Sequence, residues 1–176
     1  MNKRKDKLAI FIDGANLHST IKSLEIEIDY KELINFYSSN PNYSLIRAYY
    51  YTALLDDNKN QKISPLLNWL EYNGYRLVTK KAKSFSENNN IKIKGNMDIE
   101  LAVDALEISN YVDHIILFSG DGDFKRLIEA IQNKGVKTTA ISSLLTSPPM
   151  IADELRRQVD NFIELSSFRE ILINNT

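Results

Sequence analysis

Four aspartates in three separate stretches of the sequence have the surroundings of a catalytic or metal-binding set. Asp13 stands in IFIDGAN, Asp98 in KGNMDIELAVD, and Asp121 with Asp123 in ILFSGDGDF. In the first and last stretches an apolar run ends at a carboxylate beside a glycine, which is typical of a buried strand with an acid just past its carboxyl end. Carboxylates gathered in one crevice repel each other unless a cation or a shared proton offsets their charge. The pattern therefore predicts a magnesium-type site.

Each of these aspartates also has a local interpretation. Asp123 can cap the helix that follows it, and Asp121 can stabilise a turn. Asp13 can be a loop residue before a helix that Asn16 caps. Asp98 falls in the first turn of a predicted helix, where the helix dipole alone stabilises a carboxylate. The combination of two strand ends and one helix start favours a shared metal site over four separate roles.

Strands and helices alternate along the sequence. Apolar runs predict five strands, at residues 7–13, 44–53, 75–81, 114–119 and 136–141. Periodicity and capping residues predict helices near 17–24, 29–37, 62–73, 96–109, 124–133 and 151–158. Residues 83–94 fit either a hairpin or a mobile loop, and 162–165 is a short apolar stretch. The alternation predicts an α/β fold, with a mainly parallel sheet covered by helices on both faces.

Composition narrows the class of protein. A chain of 176 residues that is 43% hydrophobic predicts one globular domain over residues 1–176. With no cysteine and two histidines, thiolate and histidine-rich zinc sites are excluded, so oxygen ligands must hold any metal. A net charge of −1 argues against coating nucleic acid by bulk positive charge. The apolar run near the amino terminus is too short for a secretory signal or a membrane span, which predicts a cytoplasmic protein without membrane contact.

The acidic motifs resemble those of the NYN domain family, in particular its LabA-like bacterial branch within the PIN-like and FLAP-like nuclease group. The matching pieces are FIDGANL, KGNMDIELAVDAL, SGDGDF, KGVKTTAIS and the region from Ala152 to Phe162. The resemblance implies a PIN-like, Rossmann-like three-layer sandwich with strand order 3-2-1-4-5. It also implies a ribonuclease or other RNA-processing enzyme that depends on Mg²⁺ or Mn²⁺. By motif, the catalytic metal ligands are Asp13, Asp98, Asp121 and Asp123, with Asn16, Ser119 and Asp104 as supporting residues.

The implied strand order has a physical consequence for the acids. It places the first and fourth strands side by side where the sheet reverses direction, so Asp13 and Asp121 face each other across the crevice. Magnesium prefers oxygen ligands in an octahedron and keeps several waters, which leaves positions for phosphate. Asp104 lies about 9 Å further along its helix than Asp98 at ~1.5 Å per residue, and on a different face. It therefore binds a second ion, orients a ligand or faces solvent.

Residues 80–94, here called the basic segment, carry a local excess of positive charge. Five lysines are offset by Glu87 alone, immediately before the helix that holds Asp98. Such a surface can bind RNA phosphates, with Phe85 available for base stacking. The alternative is ordinary solvated surface. The candidate RNA-binding residues are Lys81, Lys83, Lys92 and Lys94.

Other functions fit parts of the pattern. A catalytically silent RNA-binding or regulatory module would keep the same acids to hold phosphate. A haloacid-dehalogenase-type phosphohydrolase also has an aspartate, one residue and a second aspartate after a strand, but that pair normally follows an early strand and precedes a small β-branched residue. Here the pair comes late, and Phe124 follows it. A receiver domain needs a phosphoacceptor aspartate directly after a middle strand, and residues 44–53 end without one.

Overall fold

The computed structural model describes residues 4–55, 65–87, 90–168 and 171–173. The strands are β1 (Asp6–Asp13), β2 (Glu27–Ile28), β3 (Tyr43–Leu55), β4 (Tyr75–Glu87), β5 (Asn90–Lys94), β6 (His114–Phe118), β7 (Lys137–Ser142), β8 (Asn161–Glu164) and β9 (Leu172–Ile173). The helices are α1 (Gly14–Leu24), α2 (Tyr30–Ser39), α3 (Pro65–Tyr72), α4 (Asp98–Ile108), α5 (Lys125–Gln132) and α6 (Asp153–Gln158). None of these helices is long and apolar enough to cross a membrane.

The main sheet has the strand order β5-β4-β3-β1-β6-β7-β8. All neighbours pair in parallel except β4 and β5, which form an antiparallel hairpin. The central five strands reproduce the predicted 3-2-1-4-5 order and confirm the α/β class. The parallel part has six strands rather than about five, because the short stretch at β8 pairs with β7. Strands β2 and β9 form a separate antiparallel pair.

Side chains alternate across β1 and bury both faces of the sheet. Leu8, Ile10 and Ile12 pack into one core cluster, and Ala9 and Phe11 pack into the other. The first cluster is covered by α1, α2 and α3, and the second by α4, α5 and α6. All five β1 side chains are fully buried. Because β1 is enclosed on both faces and paired on both edges, its carboxyl end is a rigid position for a functional residue.

Helix ends agree with the sequence signals in some places and shift in others. Asp29 begins the helix predicted near 29–37 as its N-cap, a role that aspartate favours, and its side chain accepts hydrogen bonds from two backbone N–H groups of the first turn. Gly135 follows α5 at φ +79°, a conformation that favours glycine after a helix. Helix α4 begins at Asp98 rather than Asn96, whose side-chain oxygen instead accepts a hydrogen bond from the Asp98 N–H at 2.7 Å. A charged loop, which the sequence predicts at 56–59, lies outside the described residues, as does the start of the helix predicted at 62–73.

Candidate metal and nucleic-acid site

The carboxyl ends of β1 and β6 lie next to each other and present the site. Ile12 pairs with Phe118 in the parallel register, so the next residues, Asp13 and Ser119, emerge together. The Ser119 hydroxyl donates to Asp13 Oδ2 at 3.0 Å and accepts from the Asp121 N–H at 3.2 Å. Ser119 thus links the acid at the end of β1 to the acid after β6.

Asn16 provides a second link between the two strand ends. Its side-chain oxygen accepts a hydrogen bond from the Gly120 N–H at 2.9 Å. The cap of α1 is Asp13 itself, whose Oδ1 accepts from the Asn16 N–H at 3.2 Å, so the helix cap considered for Asn16 is wrong. A side chain on Gly120 would collide with the carbonyl of Met150, which keeps this turn tight. The structure therefore brings Asn16 and Ser119 into the same network as Asp13.

Three of the four predicted ligands converge in one acidic cluster, formed by Asp98, Asp121 and Asp123. One carboxylate oxygen from each lies within 4.8 Å of the other two. Asp121 accepts a hydrogen bond from the Asp123 N–H at 2.9 Å, and Asp98 accepts one from the Asn96 side-chain amide. Asp98 and Asp121 are half-buried and Asp123 is exposed. The first turn of α4 and the turn after β6 thus deliver acids to one point.

This donor set fits a hard divalent cation. Magnesium binds oxygen at about 2.1 Å in an octahedron, so adjacent ligands are about 3.0 Å apart and opposite ligands about 4.2 Å apart. The cluster oxygens lie within 4.8 Å of one another, so the three carboxylates would have to move closer together to surround one ion. Three carboxylates leave the remaining positions of the octahedron for water or phosphate. The acidic cluster therefore fits a hard divalent cation by the type of its ligands.

Asp13 lies beside the acidic cluster rather than in it. It lines a cleft of about 490 Å³ together with Asn16, Tyr51, Asp98 and Asp121. One of its oxygens accepts from Ser119 and the other from the Asn16 N–H, which fixes the orientation of the carboxylate. Asp13 therefore lies on the cleft wall next to two acids of the cluster, where its carboxylate can serve as an additional ligand.

The pKa values of the Asp13 and Asp98 carboxyls are raised, mainly by burial. Burial is the main cause of the raised pKa of the Asp13 carboxyl, with smaller contributions from the charges of Asp98 and Asp121. Burial likewise raises the pKa of Asp98 most, and Asp121 and Asp123 raise it further, although Asn96 and Lys80 act in the opposite direction. Negative charge at this edge is therefore costly without a counter-charge, which is the condition that favours cation binding.

Asp104 occupies a different position from Asp98 on α4, as the helical offset predicts. Its Oδ2 accepts a hydrogen bond from the Tyr51 hydroxyl at 2.8 Å. Tyr51 is buried and lines the cleft, and it lies opposite Asp13 in the pairing of β3 with β1. Sequence reasoning missed Tyr51, although the register of two neighbouring strands places it beside Asp13. Asp104 therefore holds a cleft-lining tyrosine rather than facing solvent alone.

The basic segment forms the β4–β5 hairpin at the edge of the sheet. Lys83 pairs with Lys94, and Phe85 pairs with Lys92, across the two strands. The side chains of these four residues lie outside the described part of the chain. Lys81 is exposed at the base of the hairpin. One further lysine of the segment, Lys80, forms an ion pair with Glu100 on α4 at 3.0 Å, so it adds less net positive charge than the sequence count implied.

Comparisons with known proteins agree with this architecture. Residues 7–166 match the model of the NYN domain family. The chain is 35% identical over 172 residues to the Low amplitude and bright protein LabA of Synechococcus elongatus, covering 96% of this chain and 89% of that protein. The structure resembles that of a protein of unknown function from Vibrio parahaemolyticus, with a TM-score of 0.75 and 25% identity over 98% of this chain and 99% of the other. As its acidic motifs predicted, the chain belongs to the NYN domain family.

Proposed function

We propose that this protein is a metal-dependent ribonuclease that hydrolyses RNA phosphodiester bonds with Mg²⁺ or Mn²⁺. Membership of the NYN domain family supports a nuclease or RNA-binding role. The observation that carries the choice of nuclease is the convergence of Asp98, Asp121 and Asp123 within 4.8 Å. The proposal takes residues 1–176 as one NYN domain in the cytoplasm.

The cation ligands in this proposal are Asp98, Asp121 and Asp123, with Asp13 as a further ligand from the facing wall. A divalent cation bound there supplies Lewis-acid polarisation of the phosphate and lowers the pKa of a nearby water. Asp13 is held by Ser119 and by the Asn16 N–H, so its carboxylate does not need to reorient during the reaction. Asn16 holds the turn at Gly120 that presents the acids after β6.

The cleft determines how RNA reaches the acids. Its walls combine polar groups of Asn16 and Tyr51 with apolar side chains of Ala53, Met97 and Met150. This mixture suits a nucleotide, which has a charged phosphate and a flat apolar base. The basic segment precedes α4 and adds positive charge near the side where Asp98 lies. We assign the RNA-binding contribution to Lys81, Lys83, Lys92 and Lys94.

A second candidate is a catalytically silent RNA-binding module. The observation that favours it is the basic hairpin beside the acidic helix, because phosphate binding by lysine needs no turnover. In this alternative the acidic cluster holds a cation that bridges to phosphate without cleavage.

The two candidates are separated by a cleavage and binding assay. Purified protein is incubated with labelled single-stranded RNA, hairpin RNA and single-stranded DNA in Mg²⁺, Mn²⁺ or EDTA. The ribonuclease predicts cleavage of RNA with either metal and none in EDTA. Asp13→Asn and Asp121→Asn are each expected to abolish cleavage with an unchanged circular dichroism spectrum. Glu107→Gln, an exposed neutralisation on the same α4 helix, is the matched control and stays active.

Each outcome of this assay indicates a different function for the protein. RNA binding without cleavage in any metal identifies the silent module. Release of phosphate from small phosphoesters, with RNA intact, identifies a dehalogenase-type phosphohydrolase. Full nuclease activity in both aspartate variants contradicts the assignment of these residues.

A further inference from the structure

A shallow apolar groove runs between α4 and α5 and begins at the acidic cluster. Its volume is about 370 Å³, and its apolar walls are formed by Ile99, Ala102, Leu106, Phe124, Leu127 and Ala130. Ile99 is 74% exposed, although a large apolar side chain is normally buried. Phe124 and Leu127 are buried, so Ile99 is the large apolar side chain of the groove that is most accessible to a molecule bound at the acidic cluster.

The groove is continuous with the proposed catalytic site. Two cluster acids, Asp98 and Asp123, form one end of it, and Asp98 also lines the central cleft. A strand whose phosphate lies at the acidic cluster is therefore next to both the cleft and the groove. Whatever enters the groove while the site is loaded is the part of the substrate next to the scissile phosphate.

The chemistry of the walls identifies that part. Apart from the two acids, Arg126 is the polar residue of the groove, and its exposed guanidinium pairs with Glu129 at the rim. Apolar walls without other hydrogen-bonding side chains suit the face of a nucleobase, which stacks on apolar surfaces irrespective of its sequence.

A protein partner fits the groove less well. An apolar helix laid along it would cover Asp98 and Asp123 and bury their charges without compensation, which is costly. A nucleotide avoids this cost because its phosphate and the cation occupy the acidic end. The location of the acids thus favours nucleic acid over a second protein surface.

We propose that the α4–α5 groove is a subsite for the nucleobase next to the scissile phosphate. This inference rests on the proposed ribonuclease function and adds the place in the fold where the base beside the cut is held. A base in a duplex has to unstack before it enters such a groove, so paired RNA is cleaved more slowly.

The test uses the full-length protein with Mn²⁺ and single-stranded RNA oligonucleotides. One abasic residue is moved stepwise across the cleavage position found with the unmodified oligonucleotide, and kcat/KM is measured for each. With the wild-type protein, kcat/KM is expected to fall about fivefold or more when the abasic residue occupies one position flanking the cut, since stacking of one base contributes at least that factor. Ile99→Asn removes the exposed apolar wall, and Ala130→Phe fills the groove from α5. Both variants are expected to cleave the intact oligonucleotide more slowly and to lose the abasic effect.

Val103→Asn is the matched control, because Val103 is a half-exposed apolar residue of α4 that does not line the groove. It is expected to keep the wild-type abasic profile. Cleavage by wild type with a flat abasic profile, or an unchanged profile in both groove variants, overturns this inference and leaves the ribonuclease standing. No RNA cleavage by wild type in any metal overturns the proposed function and the subsite together. Self-association that sedimentation detects in wild type and Val103→Asn but not in Ile99→Asn assigns the groove to a second copy and also overturns it.

Discussion

Neutralising Asp121 is expected to stabilise the metal-free protein even as it removes activity. Two charges 4.8 Å apart repel by about 0.9 kcal/mol at the dielectric constant of water and about 3.5 kcal/mol at an effective value of 20. The repulsion between Asp121 and Asp123 is close to the lower value, because Asp123 is exposed. The repulsion between Asp121 and Asp98 lies between the two values, because Asp98 is half-buried. The asparagine of the Asp121→Asn variant keeps an oxygen to accept from the Asp123 N–H, at a cost of about 1 kcal/mol for the weaker acceptor. We therefore expect this substitution to raise the free energy of unfolding by about 1–3 kcal/mol in EDTA.

Urea unfolding in EDTA at low and high salt measures this effect. The gain is expected to shrink in 1 M NaCl, because the Debye length falls to about 3 Å. Adding Mg²⁺ stabilises wild type by mass action and the variant less, so the difference between them narrows or reverses. Glu107→Gln, the control on the same helix, changes little under either condition. If Asp121→Asn is clearly less stable than wild type in EDTA at low salt while the control is neutral, the acids do not repel as described.

The basic segment, the acids of α4 and a buried histidine each give a further prediction. Changing the four candidate lysines of the basic segment to alanine is expected to weaken RNA binding. The slope of the logarithm of the binding constant against the logarithm of salt concentration is expected to fall by up to about 3, at about 0.7 per phosphate contact with single strands. An unchanged slope means that RNA binds elsewhere. Asp98→Asn is expected to lower the cleavage rate by orders of magnitude. Asp104→Asn, whose side chain still accepts from the Tyr51 hydroxyl, is expected to lower the rate less, and excess Mn²⁺ partly restores it. A Mn²⁺ titration in which Asp104→Asn is the more damaging substitution contradicts these roles. Burial lowers the pKa of His114 from its usual 6.5, so the unfolded chain binds more protons than the folded one below that pH, and the free energy of unfolding falls there. His114→Gln is expected to flatten the dependence of the free energy of unfolding on pH in this range. An unchanged dependence would show that His114 is not its source.

The fold was predictable from the sequence because local signals and family motifs agree. The apolar run of β1 ends at Asp13 and that of β6 at Ser119, and both strands are buried as their composition indicates. The order of the central five strands followed from the resemblance, since periodicity alone does not say which strands are neighbours. Strand β8 was not predicted, because four residues carry too weak a pattern and form a strand only by pairing with β7.

The side-chain network of the site was less predictable than the positions of its acids. The contact between Tyr51 and Asp104 joins residues 53 positions apart and depends on how α4 packs over β3. The link from Asn16 to Gly120 spans 104 positions and depends on the β1–β6 register. Such contacts are set by tertiary packing, which local propensity does not encode. The convergence of Asp98 with Asp121 and Asp123 likewise depends on where the chain before α4 places the start of that helix, which the local sequence does not determine.

The location of bound manganese shows whether Asp98, Asp121 and Asp123 form a metal site. Crystals of the wild-type protein soaked in Mn²⁺, with anomalous diffraction collected near the manganese edge, show where the cation binds. We expect an anomalous peak between the carboxylates of Asp98, Asp121 and Asp123, next to Asp13, and no such peak in Asp121→Asn at the same concentration. A peak at another position, or none at a Mn²⁺ concentration that supports RNA cleavage, would contradict it.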